Sequence, residues 1–445
     1  MQRDTTGKSS QGWLSLDCES DLGVYNLATE TPTQNMEMME RIVAPSNVRE
    51  AYRRVKRNGG CPGVDGMTVE ELGEHLHTHW QQIREELLEG TYKPSPVKRH
   101  ELPKPGGGTR GLGIPTVTDR LIQQAVLQIL QPEWDPTFSE FSYGFRPRRS
   151  AHQAVDKAHE HYLAGKHRVV SLDLEKFFDR VNHDKMMSLV RERIADRRVR
   201  RLIRRYLQAG MLTGDVYMPR SEGTPQGGPL SPLLANLLLD RLDRELEKRG
   251  HRFVRYADDV SIYVNSERAG RRVLQSISHF LSKKLKLKVN KVKSRVDKPR
   301  KCSLLGFSIG RAGRVFVSDK SIRRLKDRIR KLTGRNRGRR VEQIIREVAT
   351  YLQGWRQYFD YAYSKQIFRE LSAWIKRRLR CYMWKQWGRA GYRELRKRGV
   401  SRDLAWNTCK SHHGPWRLSR SPALAYALTT RYFADLGLPL LHVNL

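Results

Sequence analysis

The chain has 445 residues, 38% of them hydrophobic, and 84 Lys+Arg against 47 Asp+Glu give a formal net charge of +37. That length exceeds one ordinary core and predicts two or three domains. The lack of a long apolar run excludes a membrane-spanning helix, and the polar Met1–Gly12 lacks a secretory signal core, which predicts cytoplasmic residence. Charge this far from zero exceeds what solubility needs and points to a polyanion partner.

Residues 1–40 are polar and without period, which predicts a poorly ordered tail or an arm that orders on a partner. Thr68-Val69-Glu70-Glu71 reads as a capping box opening a helix through Leu87. Val97 to Ile114 reads as a hairpin around Gly106-Gly107-Gly108, with Lys104 and Arg110 on its arms. Thr118 is expected to cap the next helix, whose Leu121, Ile122, Ala125, Val126, Ile129 and Leu130 form an apolar face and which Pro132 stops. Phe141–Arg149 mixes aromatic and basic residues; Arg146, Arg148 and Arg149 suit a phosphate track, with solvated arginines as the plainer alternative.

Val170 and Leu172 alternate with Ser171 and Asp173, so this strand ends in a carboxylate, and Phe177 and Phe178 follow. Thr224–Pro229 is a loop by composition, and a helix runs from Ser231 through Arg249. Phe253–Tyr256 is a short strand, and Val260, Ile262 and Val264 recur at period two with Ser261 and Tyr263 opposite. Between the two strands lies a tight turn carrying Asp258 and Asp259. From Asp319 the period is helical: Ile344, Ile345, Val348, Leu352, Trp355 and Phe359 share one face, and Leu371–Trp387 repeats the pattern. Arg356, Lys376, Arg377, Arg378 and Arg380 fall among these helices, on a basic side expected to face the polyanion. Lys320 to Arg420 holds 29 Lys+Arg against 7 Asp+Glu, so 22 of the 37 net charges lie there.

An Asp-Asp pair at a turn is ordinarily a turn former, since carboxylates bond nearby backbone N–H groups. Here the flanks are apolar enough to seat the turn on a core, and Asp173 lies 85 residues upstream (258 minus 173). Two carboxylates about 4 Å apart at an effective dielectric near 20 repel by roughly 4 kcal/mol, so three together need cations or raised pKa values. Oxygen-only ligands without His or Cys favour Mg²⁺ over zinc, and paired Mg²⁺ ions serve polymerases and nucleases in in-line phosphoryl displacement.

Tyr256-Ala257-Asp258-Asp259 resembles the signature box of reverse transcriptases encoded by bacterial group II introns. Leu102–Arg110 and Tyr143-Gly144-Phe145-Arg146-Pro147 resemble the family's fingers blocks, and Ser171–Asp184 the block with the first catalytic Asp. Gly223–Gly228, Leu287–Ser294 and Leu304–Phe307 resemble palm blocks, and Gly354–Phe359 the maturase domain that follows. The match runs from about residue 40 to the C-terminus in the family's order. It implies an α+β fold: right-hand fingers and palm with an antiparallel palm sheet, then an α-helical thumb (maturase domain X). The implied division is a tail at 1–40, N-terminal extension and fingers at 41–170, palm at 171–315, thumb at 316–415, and a C-terminal tail region at 416–445.

The resemblance further implies RNA-directed DNA synthesis, with Asp173, Asp258 and Asp259 catalytic and binding two Mg²⁺ ions, for which Mn²⁺ can substitute. Lys104, Arg110, Phe178, Gln226 and Lys293 match nucleotide-binding positions. Phe178 matches the steric gate, where a ring beneath the sugar leaves no room for a 2′-hydroxyl. Expected partners are group II intron RNA, an RNA template with a DNA primer, dNTPs and target DNA, with nucleoid association when acting on DNA. No HNH-type ligand pattern occurs, which resembles the group IIC branch. Two other readings are a domesticated reverse transcriptase with a repair or defence role, and a pure splicing cofactor with an unused polymerase site.

Overall fold

The computed structural model describes residues 37–103, 108–213, 216–439 and 441, without the side chains of Arg110 and Arg311. Most of the expected N-terminal tail, residues 1–36, therefore lies outside the described residues. The chain forms two compact units. One gathers the described residues through Ala154 with Val170–Val296, and the other joins Val155–Val169 to those from Asp297 on.

The first unit opens with helices Met38–Val43, Pro45–Asn58 and Leu72–Glu89. Glu71 accepts from the Thr68 N–H at 2.7 Å, but the helix begins at Leu72 with Glu71 at its N-cap and no side-chain cap, so the expected box does not open it. A four-stranded sheet follows in the order β2-β1-β4-β5, built from β1 (Val97–Pro103), β2 (Thr109–Ile114), β4 (Met211–Thr213) and β5 (Val216–Met218). β1 and β2 pair antiparallel, with Leu102 opposite Arg110. The next helix, Val117–Trp134, is capped by Thr116, whose hydroxyl accepts from the Asp119 N–H at 3.1 Å. The cap thus falls two residues before the expected Thr118, and Pro132 lies inside the helix.

The second sheet has the order β6-β7-β3-β8, from β3 (Arg168–Leu172), β6 (Arg252–Tyr256), β7 (Asp259–Val264) and β8 (Arg295–Asp297). β6 and β7 form the expected antiparallel hairpin. β7 is buried on both faces, Ser261 at 7% and Tyr263 at 3% exposure, rather than half-buried. The Leu-rich helix Ser231–Lys248 belongs to the same core, with Leu237, Leu238, Leu239 and Leu242 buried.

The second unit contains the hairpin β9 (Phe307–Ile309) and β10 (Val315–Val317). Helices Asp319–Leu332, Val341–Phe359 and Lys365–Trp387 follow. Ile344, Ile345, Val348 and Leu352 are buried, as their spacing predicts. Residues beyond 415 form three short helices, Pro415–Leu418, Pro422–Ala427 and Thr430–Asp435. Their Leu424, Leu428 and Phe433 join the same core, so this segment packs as structure rather than trailing as a tail. Among the described residues, no helix is long and apolar enough to cross a membrane.

Asp119, 1% exposed, makes a buried polar node in the first unit. Its carboxylate accepts from the Tyr92 hydroxyl at 2.9 Å, the Tyr206 hydroxyl at 3.2 Å, the Ser95 N–H at 3.1 Å and the Thr116 hydroxyl at 2.8 Å. Burial outweighs these donors and pushes its pKa from 3.8 up to about 6. The folded state therefore holds this proton more tightly than the unfolded one. That stabilisation is complete below the unfolded value and is lost as pH rises through the folded value. Relative to Asp119→Asn, the wild-type unfolding free energy is expected to fall by about 2–3 kcal/mol between about pH 4 and pH 7. Parallel profiles in urea titrations would contradict this.

Candidate active site

The Tyr256-to-Asp259 turn is a two-residue hairpin loop, with Tyr256 paired to Asp259 across its mouth. Its first residue, Ala257, has φ 56°, a left-handed value that normally favours Gly. Such a conformation costs on the order of 1–3 kcal/mol and persists only where surroundings over-determine it. Here the backbone of Gly144 lies against it: a Cβ on Gly144 would stand 2.2 Å from the Ala257 nitrogen. Arg255, wholly buried, donates from Nη1 to the Ala257 carbonyl at 3.0 Å. Its Nε and Nη2 grip the wholly buried Asp243 at 2.8 and 2.6 Å. Burial drives the Asp243 pKa above its ordinary value, and Arg255 pulls against that rise.

Asp173 stands one residue past the end of β3, and β3 is the sheet neighbour of β7, which begins at Asp259. Its N–H donates to the Ser294 hydroxyl at 3.0 Å, and its carbonyl accepts from the Asn290 N–H at 2.8 Å. These bonds bring Lys293 alongside, its Nζ 3.6 Å from the Asp173 carboxylate. Among the described residues one carboxylate trio has its oxygens all within 4.8 Å of one another, namely Glu37, Glu40 and Asp196. Arg198 pairs with all three, at 2.5, 2.7 and 3.0 Å, so that cluster is an ion-pair knot. Asp173, Asp258 and Asp259 are spaced more widely than that trio.

Phe178 and Gln226 are linked through their chain neighbours Thr224 and Asp179. The Thr224 N–H donates to the Phe178 carbonyl at 2.7 Å, and Gln226 Nε2 donates to Asp179 at 3.3 Å. Gly223, at φ 88°, allows this approach, since a Cβ there would meet the Phe178 carbonyl oxygen at 2.9 Å. A ring nitrogen of buried His183 lies 2.6 Å from the Gly223 carbonyl, and burial lowers the imidazole pKa, favouring the neutral ring as donor. Phe177 and Phe178 are both buried, at 3% and 8% exposure, with rings edge to face at 5.1 Å. The Gly113 N–H of β2 donates to the Gln226 carbonyl at 3.2 Å, tying the first sheet to this loop. Lys104 and the Arg110 side chain lie outside the described residues.

Several basic residues expected to meet RNA bond to neighbouring segments of the protein instead. Arg146 is 8% exposed; it pairs with Asp135 at 2.8 Å and donates to the Ser139 and Ser142 carbonyls at 2.6 and 2.9 Å. It is a clamp for its own loop, not part of a phosphate track. Arg148 remains exposed, on a groove it shares with Arg41 and Arg54. In the second unit Lys376 donates to the Thr430 hydroxyl at 2.6 Å, and Arg380 Nε donates to the Leu428 carbonyl at 3.0 Å. Arg378 donates to the Thr333 hydroxyl at 2.9 Å, and Arg377 stacks 3.7 Å from the Trp416 ring centre and reaches the Trp416 carbonyl. These four cations hold neighbouring segments, and burial lowers the pKa of Lys376, Arg378 and Arg380. Arg356 is half-buried. Exposed charge lies instead on helix Asp319–Leu332, at Arg323, Arg324 and Arg328. Arg380→Gln is expected to cost about 1–3 kcal/mol of stability by stranding a buried carbonyl, with little change in the salt dependence of polyanion binding. Arg324→Gln should do the reverse, lowering the salt slope by about 0.7–0.9 without loss of stability. Heparin-binding titrations against salt, run beside urea unfolding, decide this, and a swapped outcome would contradict the assignment.

Sequence reasoning missed Arg255, Asn236 and Asp243 as support for the turn. One signal was available: Asn236, Asp240 and Asp243 form a polar stripe at helical spacing in an otherwise leucine-rich helix.

Comparison with known proteins accords with this geometry. The family described as reverse transcriptase (RNA-dependent DNA polymerase) matches residues 102–309, and the group II intron maturase-specific domain matches residues 322–400. Protein YkfC of Escherichia coli (strain K12) is 38% identical over 228 residues, 50% of this chain and 60% of that protein. Group II intron-encoded protein LtrA of Lactococcus lactis subsp. cremoris is 37% identical over 204 residues, 46% of this chain and 34% of that protein. The chain thus spans less than two-thirds of either relative. Among solved structures, a partial Cas6-RT-Cas1--Cas2 complex overlaps 56% of this chain and 43% of that one at TM-score 0.37 and 23% identity, a likeness too slight to argue from. Reverse transcriptases as a family use divalent metal ions. The chain therefore carries a region matching the reverse transcriptase family followed by one matching the group II intron maturase-specific domain.

Proposed function

We propose that the chain is an RNA-directed DNA polymerase that also binds a group II intron RNA to promote its splicing and mobility. The observation that carries the first activity is the strained hairpin turn bearing Asp258 and Asp259, beside the strand that delivers Asp173. The maturase-specific match over residues 322–400 supports the second. In this reading residues 41–170 act as extension and fingers, 171–315 as palm and 316–415 as thumb.

The donor set fits Mg²⁺: it offers carboxylate oxygens only, and Asp173 already has a cation beside it in Lys293 at 3.6 Å. Asp173, Asp258 and Asp259 would hold the ions, with Mn²⁺ as a substitute. When bound, Mg²⁺ supplies charge neutralisation for in-line phosphoryl transfer. The protein's own part is positioning. Phe178 places its ring under the nucleotide sugar, Gln226 lies beside the nucleotide, and Lys104 and Arg110 are assigned to its phosphates by the family resemblance alone. Lys293, 67% exposed, is free to swing from Asp173 toward the leaving pyrophosphate, since a surface ion pair holds it by no more than about 1 kcal/mol. Arg148 and Arg356 are the remaining proposed RNA contacts, and target DNA is the proposed acceptor.

Replacing Asp258 and Asp259 with Ala removes metal ligands and relieves carboxylate repulsion, so the fold should survive. DNA synthesis should fall to background while intron RNA binding persists, because positioning and metal electrostatics supply most of phosphoryl-transfer catalysis. Primer extension and RNA binding on one folded double variant test this; loss of both together would defeat the division of labour. Phe178→Val should raise ribonucleotide incorporation relative to deoxyribonucleotide, at a stability cost of about 1–3 kcal/mol for the truncated buried ring. An unchanged incorporation ratio would make Phe178 a core residue alone.

A further inference from the structure

The turn that carries Asp258 and Asp259 is held from beneath by a closed ring of buried groups. Asn236, 1% exposed on helix Ser231–Lys248, closes it. Its Nδ2 donates to the Gly144 carbonyl at 2.9 Å, and its Oδ1 accepts from Arg255 Nη1 at 2.9 Å. The same Arg255 nitrogen donates to the Ala257 carbonyl at 3.0 Å. The Gly144 α-carbon faces the Ala257 nitrogen so closely that no side chain fits between them. The adjoining backbone is stitched as well: the Tyr143 N–H donates to the Arg255 carbonyl, and the Arg255 N–H to the Phe141 carbonyl, both at 2.9 Å. Three distant stretches, at 141–144, 236–243 and 255–257, therefore meet at one peptide.

This arrangement does more than satisfy buried polar groups. Ala257 sits in a left-handed conformation that a non-Gly residue leaves readily unless both its flanking peptides are fixed. Arg255 and Asn236 fix the carbonyl side, and Gly144 walls off the amide side. Rotation of either peptide would swing the Asp258 and Asp259 backbone, and carboxylates that must grip metal tolerate little displacement. Both amide ends of Asn236 are engaged in one orientation, so neither Asp nor Leu can replace it: Asp presents an acceptor to the Gly144 carbonyl, and Leu presents nothing.

We propose that Asn236, acting through Arg255 and Gly144, is a positioning residue that locks the Ala257 peptide and so sets the placement of the Asp258 and Asp259 carboxylates. The proposal rests on the polymerase reading above, but one of its tests does not.

The test compares the wild-type chain with Asn236→Leu, Gly144→Ala and Leu242→Ala. The last removes a wholly buried side chain from the same helix and controls for lost stability. The first readout is hydrogen–deuterium exchange of the peptide covering residues 253–264, at a temperature where every variant is folded. Asn236→Leu and Gly144→Ala should speed exchange at the turn selectively, whereas Leu242→Ala should not. The second readout is primer extension against Mg²⁺ concentration. The two lock variants should lose about tenfold or more in kcat, with half-saturation shifted to higher Mg²⁺ and the KM for dNTP little changed. The control should keep its rate. Should Asn236→Leu or Gly144→Ala fail to fold, Asn236→Ala carries both readouts, since it removes the same two hydrogen bonds and introduces no clash. Unchanged exchange at the turn in the lock variants, or equal kcat loss in the control, would overturn the proposal. A wild-type chain that extends no primer would defeat the polymerase reading, while the exchange measurement would still decide the lock.

Discussion

The turn that carries Asp258 and Asp259 depends on one buried ion pair. Arg255 and Asp243 are both wholly buried, and their two short bonds leave the guanidinium's remaining nitrogen to serve Ala257 and Asn236. Taking two charges out of water is costly, and such a pair is often no more stable than apolar residues of similar size. What the pair supplies is a fixed set of donors in a place where a lysine or an apolar residue could not fork in three directions. The rest follows from that geometry: the turn is held strained, β7 runs from it through the centre of a sheet covered on both faces, and β3 lies beside it to deliver Asp173.

Much of this was legible in the sequence because its causes are local. Val260, Ile262 and Val264 set a strand, two Asp at a turn set a hairpin, and Val170 and Leu172 set the strand that ends at Asp173. Helix faces such as Ile344, Ile345, Val348 and Leu352 were legible for the same reason. Where the reading failed, the cause was tertiary. Ser261 and Tyr263 are polar or amphipathic enough to suggest a solvent face, yet a second layer covers them. Thr118 and Thr116 are equally good caps by residue type, and only the path of the chain chooses Thr116.

The arginines show the limit most clearly. A basic stretch looks the same in sequence whether its cations face a phosphate or a neighbouring helix's carbonyl. Arg146, Arg378 and Arg380 face carbonyls, because helix ends and loops leave acceptors that nearby guanidinium groups can satisfy. The exposed positive charge is left on other positions, notably helix Asp319–Leu332. Net charge thus points to a class of partner without locating the surface, whereas the acidic turn marks one place, the candidate site.

The buried pair serves geometry at the site more than global stability. The most direct measurement is a double-mutant cycle on Arg255→Met and Asp243→Leu, scored by both unfolding free energy and the rate of primer extension. Each single variant strands a buried charge and should lose about 3–5 kcal/mol, whereas the double variant should recover most of that. Extension should not recover with it, because no methyl group can hold the Ala257 carbonyl or the Asn236 amide; the double variant should stay about tenfold or more below wild type. A double variant that regains its rate in step with its stability would contradict the account.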